Sequence, residues 1–214
     1  MKKILKLLLS TQPGWAATAP LRARGTYVLM YHRITEPGDF FGGITLDNFR
    51  RQMQWLKANC TPVWPEDVLR AALHARRGKP PVVVTFDDGY RDYHDRAYPV
   101  LHEMDIPAAV FLSTDCMDHG GLLWTERLEW AVMRTTREAL TTPWEPQRTV
   151  VLGDEPTRRA FLAEAKGRMK DADDDSRRRW LDALLADADA GDPQAVLLTQ
   201  VQGVIAEYEK AKIA

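Results

Sequence analysis

Residues 81–90 read PVVVTFDDGY, and the fold is decided there. Pro81 to Phe86 is an apolar, β-branched run without charge. That is the pattern of a strand buried on both faces of a parallel sheet. Two aspartates, Asp87 and Asp88, end the run, and Gly89 follows at once. The carboxyl ends of parallel strands are where ligands bind in open α/β sheets and barrels. Two like charges a few ångströms apart repel, so such a pair calls for a bound proton or a cation. Gly89 frees the backbone for a tight turn, and N–H groups opening a following helix favour negative charge there. These parts suit metal-assisted hydrolysis: one carboxylate ligates a metal, the other takes a proton from water, and N–H groups hold an oxyanion. The plainer alternative is that Asp87 and Asp88 cap the next helix. The apolar run before them and the glycine after them favour a site.

Outward from this stretch, strands and helices alternate. Thr26 to His32 (TYVLMYH) reads as a buried strand, followed by a Gly/Pro-rich loop over 36–43. Thr45 caps a helix whose Leu46, Phe49, Met53 and Leu56 share one face. Thr61 to Trp64 is a short extended piece. Pro65-Glu66-Asp67 opens a second helix that runs to about His74–Gly78. A helix from about Arg91 to Met104 carries Tyr93, Ala97, Val100, Leu101 and Met104 on its apolar side, and Ala108 to Leu112 is the next buried strand. This order predicts an α/β fold with a parallel sheet or barrel. After Gly121 the pattern turns helical: 124–134, then 155–170, 176–185 and 194–212, with a short strand at Thr149–Leu152. Three parts follow: a basic amphipathic segment (1–22), an α/β half (23–122) and a mainly helical insertion or lid (123–214).

Bulk properties exclude several classes. With 214 residues, 45% apolar and 28% charged, the chain fits an ordinary globular protein. A net charge of −1 gives no global attraction to nucleic acid. Cys60 and Cys116 form neither a disulfide framework nor a zinc-finger spacing, consistent with a reducing compartment. The opening MKKILKLLLS is basic and then apolar, but Lys6 interrupts the run a signal peptide would need. An amphipathic helix lying on the protein or on a membrane surface fits better, the second placement giving peripheral membrane contact through residues 1–10. The expected location is cytoplasmic or at the inner face of the membrane; export is the alternative. No later segment has the length of a transmembrane helix. The acidic stretch 171–175 lacks a calcium loop's glycine, and Arg177-Arg178-Arg179 reads as a solvated helix face.

Thr85-Phe86-Asp87-Asp88-Gly89-Tyr90 resembles the first motif of the polysaccharide deacetylases (carbohydrate esterase type 4), which include chitooligosaccharide and peptidoglycan N-acetylglucosamine deacetylases. Leu29 to Ile34 resembles that family's first strand. Ile44-Thr45 with Phe49 to Met53 resembles its next helix, and Tyr98 to Leu101 and Ile106 to Leu112 resemble the segments after the motif. The resemblance covers roughly residues 26 to 130. It implies a bacterial hydrolase with a partial irregular (β/α) barrel of the deacetylase type, a C-terminal helical insertion, and an N-acetylated glycan as substrate. Asp87 would be the general base, Asp88 a ligand of a divalent metal, Zn2+ above all, Gly89 and Tyr90 the backbone oxyanion donors, and Thr85 a supporting residue. The family's second motif, His-Ser/Thr-x-x-His, has no counterpart among the five histidines, His32, His74, His94, His102 and His119. His32 or His119 would be the substitute ligand. The resemblance thus implies a chain truncated before that motif. A non-catalytic glycan- or partner-binding remnant stands as the alternative.

Overall fold

The computed structural model describes residues 25–70, 79–114, 116 and 121–191. They fall into two compact units that divide between Ser113 and Thr114. The basic segment 1–22 and the helix expected over 194–212 lie outside the described residues, as do His74 and His119.

The first unit is an α/β layer built on a parallel sheet. Strand β1 (Tyr27–Tyr31) leads to two short strands, β2 (Ile34–Thr35) and β3 (Ile44–Thr45), which pair with each other in parallel. Helix α1 (Leu46–Asn59) follows, then β4 (Thr61–Pro62), a 3₁₀ turn (Pro65–Asp67) and the long strand β5 (Pro81–Asp88). A π-helical turn (Tyr93–Ala97) runs into α2 (Tyr98–Glu103), and β6 (Ala108–Leu112) closes the unit. All three neighbours of β5 are parallel to it. β1 pairs over Val82–Phe86, β4 at Pro81 and Val82, and β6 over Val84–Asp88. The expected α/β class with a parallel sheet is therefore present.

Residues in register share a face, because successive side chains alternate. Tyr27, Leu29 and Tyr31 join Val82, Val84, Phe86, Ala108 and Val110 in one core with α1 and the segment 93–106. Phe86 sits among three rings: Tyr31 (5.3 Å), Phe49 (5.8 Å) and Tyr93 (4.7 Å between centroids). Helix α1 forms as its sequence dictates. Thr45 accepts from the Asn48 N–H, Asp47 lies in the first turn and Lys57 in the last, and Phe49, Met53 and Leu56 are buried.

Two expectations are corrected. β1 and β6 were expected as buried strands, but each is buried on one face only. Val28 is 64%, Met30 62% and Phe111 59% exposed. Alternation sends these side chains to the face opposite the helices, and no element among the described residues buries them there. The helix expected over 91–104 is interrupted: its first part is the π-helical turn, although Tyr93, Ala97, Val100 and Leu101 are buried as predicted.

The second unit is mainly helical. It contains α3 (Trp124–Arg134), a hairpin of β7 (Ala139–Thr141) and β8 (Thr149–Val151), α4 (Glu155–Asp171) and α5 (Asp174–Ala188). Its core gathers Leu128, Val132, Leu140, Phe161, Met169 and Leu184. Asp154 and Asp173 cap α4 and α5 by accepting from the Thr157 and Ser176 N–H groups. The acidic stretch 171–175 thus contains a helix cap. Among the described residues no helix is long and apolar enough to cross a membrane.

Phe49 is fully buried and packs edge-on against Tyr31 at 5.2 Å. Phe49→Ala should lower stability by about 3–5 kcal/mol, read from chemical denaturation midpoints. A loss below about 1 kcal/mol would mean that the ring does not fill this core.

Candidate active site

β5 carries six buried residues and then two half-buried acids, Asp87 and Asp88. The acids sit where the strand leaves the sheet, paired in register with Phe111 and Leu112 of β6. Both border a cavity of about 820 Å³, walled by Val28, Met30, Val83 and Phe111. Asp88 has φ +72° and Gly89 φ +73°, two consecutive left-handed residues. Aspartate tolerates that region better than most residues. Glycine suits the left-handed angle at Gly89, and a Cβ there would stand 2.5 Å from Leu112 Cδ2, so that side chain would have to shift.

Among the described residues neither the Asp87 nor the Asp88 carboxylate makes a hydrogen bond or an ion pair, and neither caps the following helix. Thr85 is buried, and its hydroxyl donates to the Leu29 carbonyl at 3.3 Å, tying β5 to β1. His32 is exposed, one residue beyond the Tyr31–Phe86 pair, at the same end of the sheet as Asp87. His94 and His102 flank Tyr98 on the helical segment after the motif, with ring centroids 6.4 and 5.8 Å from it.

Catalytic zinc takes three protein ligands and an open position. Among the described residues no group of three His, Cys, Asp or Glu side chains could hold a metal. Asp87 and Asp88 by themselves therefore fall short of a catalytic zinc centre.

Beside the acid pair lies a charged network that local sequence patterns did not reveal. Asp92 Oδ1 accepts from the Ile34 N–H at 2.8 Å, and its Oδ2 lies 3.5 Å from Arg33 Nη1. The Arg33 guanidinium stands 3.7 Å over the Tyr90 ring and 4.9 Å over Phe41. Arg96 donates to the Ile34 carbonyl at 2.8 Å and pairs with Asp39. Partners nearly sixty positions apart leave no periodic trace. The one available signal was a charged residue just after each candidate, Arg33 after His32 and Asp92 after the motif.

The two carboxylates of this network are shifted in opposite directions. Burial pushes the Asp92 carboxyl up, against the Ile34 N–H and the Arg33 charge. The Arg96 hydrogen bond holds the Asp39 carboxyl below the ordinary range.

Residues 74–139 match the family model for polysaccharide deacetylase. Among curated proteins, the chain is 31% identical over 107 residues to YxkH of Bacillus subtilis (strain 168), named as a polysaccharide deacetylase. That match covers 48% of this chain and 37% of the relative. It is 29% identical over 98 residues to the poly-beta-1,6-N-acetyl-D-glucosamine N-deacetylase of Escherichia coli (strain K12), covering 43% of this chain and 14% of that one. Among solved structures, the Streptococcus pyogenes deacetylase PplD in complex with acetate aligns with a TM-score of 0.38 and 27% identity, over 49% of this chain and 50% of that one. The chain thus spans little more than a third of the longer-matched curated relative. The matched segment is similar to the polysaccharide deacetylase family, as the motif resemblance implied.

Two outcomes follow from the local geometry. Asp88→Ala should cost about 1–2 kcal/mol more than Asp88→Gly, because alanine is strained at a left-handed φ; thermal denaturation of the pair measures it. Equal losses would remove the strain. In a carboxyl-carbon NMR titration Asp92 should titrate above, and Asp39 below, the ordinary aspartate value of about 3.9. For Asp39, whose folded pKa is lowered, stability is fully present above the unfolded value and is lost as pH falls through the folded one. For Asp92, whose folded pKa is raised, stability decreases as pH rises from the unfolded to the folded value.

Proposed function

We propose that this chain carries the carboxylate half of a metal-dependent deacetylase that removes acetyl groups from an N-acetylated polysaccharide or oligosaccharide. The observation that carries the proposal is the acid pair itself. Asp87 and Asp88 are adjacent, half-buried and without partners among the described residues, and they border a cavity at the end of a buried parallel strand. Like charges so placed favour a proton or a cation.

In this reading Asp87 is the general base. It takes a proton from the water that adds to the amide carbonyl. The C–N bond then breaks to give acetate and a free amine, and the proton held by Asp87 is the one the departing nitrogen needs. Gly89 and Tyr90 would offer backbone N–H groups to the developing oxyanion, and Thr85 would hold the strand in place. A divalent cation, Zn2+ above all, would lie on Asp88, with His32 or His119 as a further ligand. Bound there it would supply Lewis-acid polarisation of the carbonyl. The glycan substrate is proposed from the family alone. Membrane contact through residues 1–10 and a cytoplasmic location concern a segment outside the described residues.

A second reading, a non-catalytic member that binds a glycan or a partner, is favoured by one observation: no third metal donor accompanies the pair among the described residues.

The protein should be equilibrated with Zn2+ and dialysed. Bound metal and acetate release from N-acetylglucosamine oligomers are then measured. The expected result is stoichiometric zinc and acetate release, a rate loss of about 10²-fold or more in Asp87→Asn with metal retained, and loss of metal in Asp88→Asn. A protein that retains no metal and releases no acetate would sink the enzymatic reading. Glycan binding that survives both substitutions without metal would establish the second.

A further inference from the structure

The loops that leave β1 and β5 are joined by contacts that the proposed reaction does not use. Asp92 is the hub. Its side chain is 11% exposed and holds the Ile34 N–H on one oxygen and the Arg33 guanidinium beside the other. Ile34 is fully buried, so this amide has no water to turn to. Its carbonyl is held as well, by Arg96. Both backbone groups of one residue after β1 are thus bound by side chains that follow the acid motif. Arg33 extends the link. Its plane stacks on Tyr90, two residues after Asp88, while Phe41 receives it from the β2–β3 loop. Gly43 allows the loop to close, since a Cβ there would lie 2.6 Å from the Arg33 carbonyl oxygen.

We infer that Asp92 is a positioning residue: through Ile34 and Arg33 it fixes the chain after β1, with His32 at its start, against the Asp88–Gly89–Tyr90 turn. This rests on the proposal that Asp87 and Asp88 are the reacting carboxylates. Sites that handle a metal or a transition state need side chains held within a fraction of an ångström by a supporting layer. Here the turn itself contains two left-handed residues, and among the described residues the Asp88 carboxylate receives no hydrogen bond. The Arg33–Tyr90 stack gives it an anchor outside the sheet. A guanidinium suits this task because it can stack and pair at once, which an ammonium cannot.

The full chain can be tested as Asp92→Ala, Asp92→Asn and Arg33→Lys. In Asp92→Ala, hydrogen exchange at the Ile34 amide should speed up by about tenfold or more, the worth of a hydrogen bond to a charged group. The Gly89 and Tyr90 amides and the His32 imidazole should move in heteronuclear NMR spectra, while Leu140 and Leu184 of the second unit stay in place. Asn keeps an acceptor for Ile34, so Asp92→Asn should retain most of the protection. Arg33→Lys should shift the Tyr90 ring signals and leave the Ile34 amide protected. Zinc affinity should fall about tenfold in Asp92→Ala, as for supporting residues of metal sites. Unchanged Gly89, Tyr90 and His32 signals in Asp92→Ala would overturn the inference. So would equal movement of the second-unit signals in all three variants. Absence of zinc binding in the unsubstituted chain would instead remove the deacetylase reading and leave the NMR outcome to decide the positioning role.

Discussion

Everything in the first unit depends on how β5 brings charge out of a dry sheet. Its first six residues are buried, and a carboxylate among them would lose its hydration without a partner. The acids therefore come at the last two positions, where the strand emerges. There the chain must turn away at once, and two left-handed residues accomplish this within Asp88 and Gly89. The rest of the layer fixes where that exit lies. Val82 to Phe86 is held by β1 and Val84 to Asp88 by β6, while Tyr31, Phe49 and Tyr93 enclose the Phe86 ring. Close-packed aromatics leave little freedom to slide. The height of Asp87 above the core is thus set by the packing of the residue before it.

The aspartates around this exit divide by wiring rather than by type. Asp39 is paired with Arg96, and Asp92 is bonded to a backbone amide beside an arginine. Those bonds lower the carboxyl pKa in both cases, and burial reverses the outcome only for Asp92. Asp87 and Asp88 lack such partners among the described residues. Arg33 and Arg96 are instead engaged with Asp92 and Asp39, and Arg91 with Asp95.

How much of this was legible in the sequence depends on the range of the interactions. The run 81–86, the turn at Gly89 and the spacing of Phe49, Met53 and Leu56 are local patterns, and each produced the element it predicted. Helices α3 and α4 likewise began where their sequences indicated. The half-exposed character of β1 and β6 was not legible. TYVLMYH and AAVFL are apolar on both sides, and only a covering layer decides which side is buried. β7 was missed because Ala139-Leu140-Thr141 lacks the β-branched run that marked its partner at Thr149-Val150-Val151, and it exists through its pairing with β8. The Arg33–Asp92 link spans the distance between two loops, which only the parallel alignment of β1 and β5 brings together.

The exposed face and the acid pair border the same cavity. Val28 and Met30 of β1, Val83 and Thr85 of β5, and Phe111 of β6 all border the cavity that Asp87 and Asp88 close at one end. A group that covers Val28, Met30 and Phe111 would share this cavity with the carboxylates. Burial there would also remove water from the pair, strengthen the repulsion between the two charges and raise the demand for a cation. The residues that line the open wall and those that await a partner thus belong to one surface.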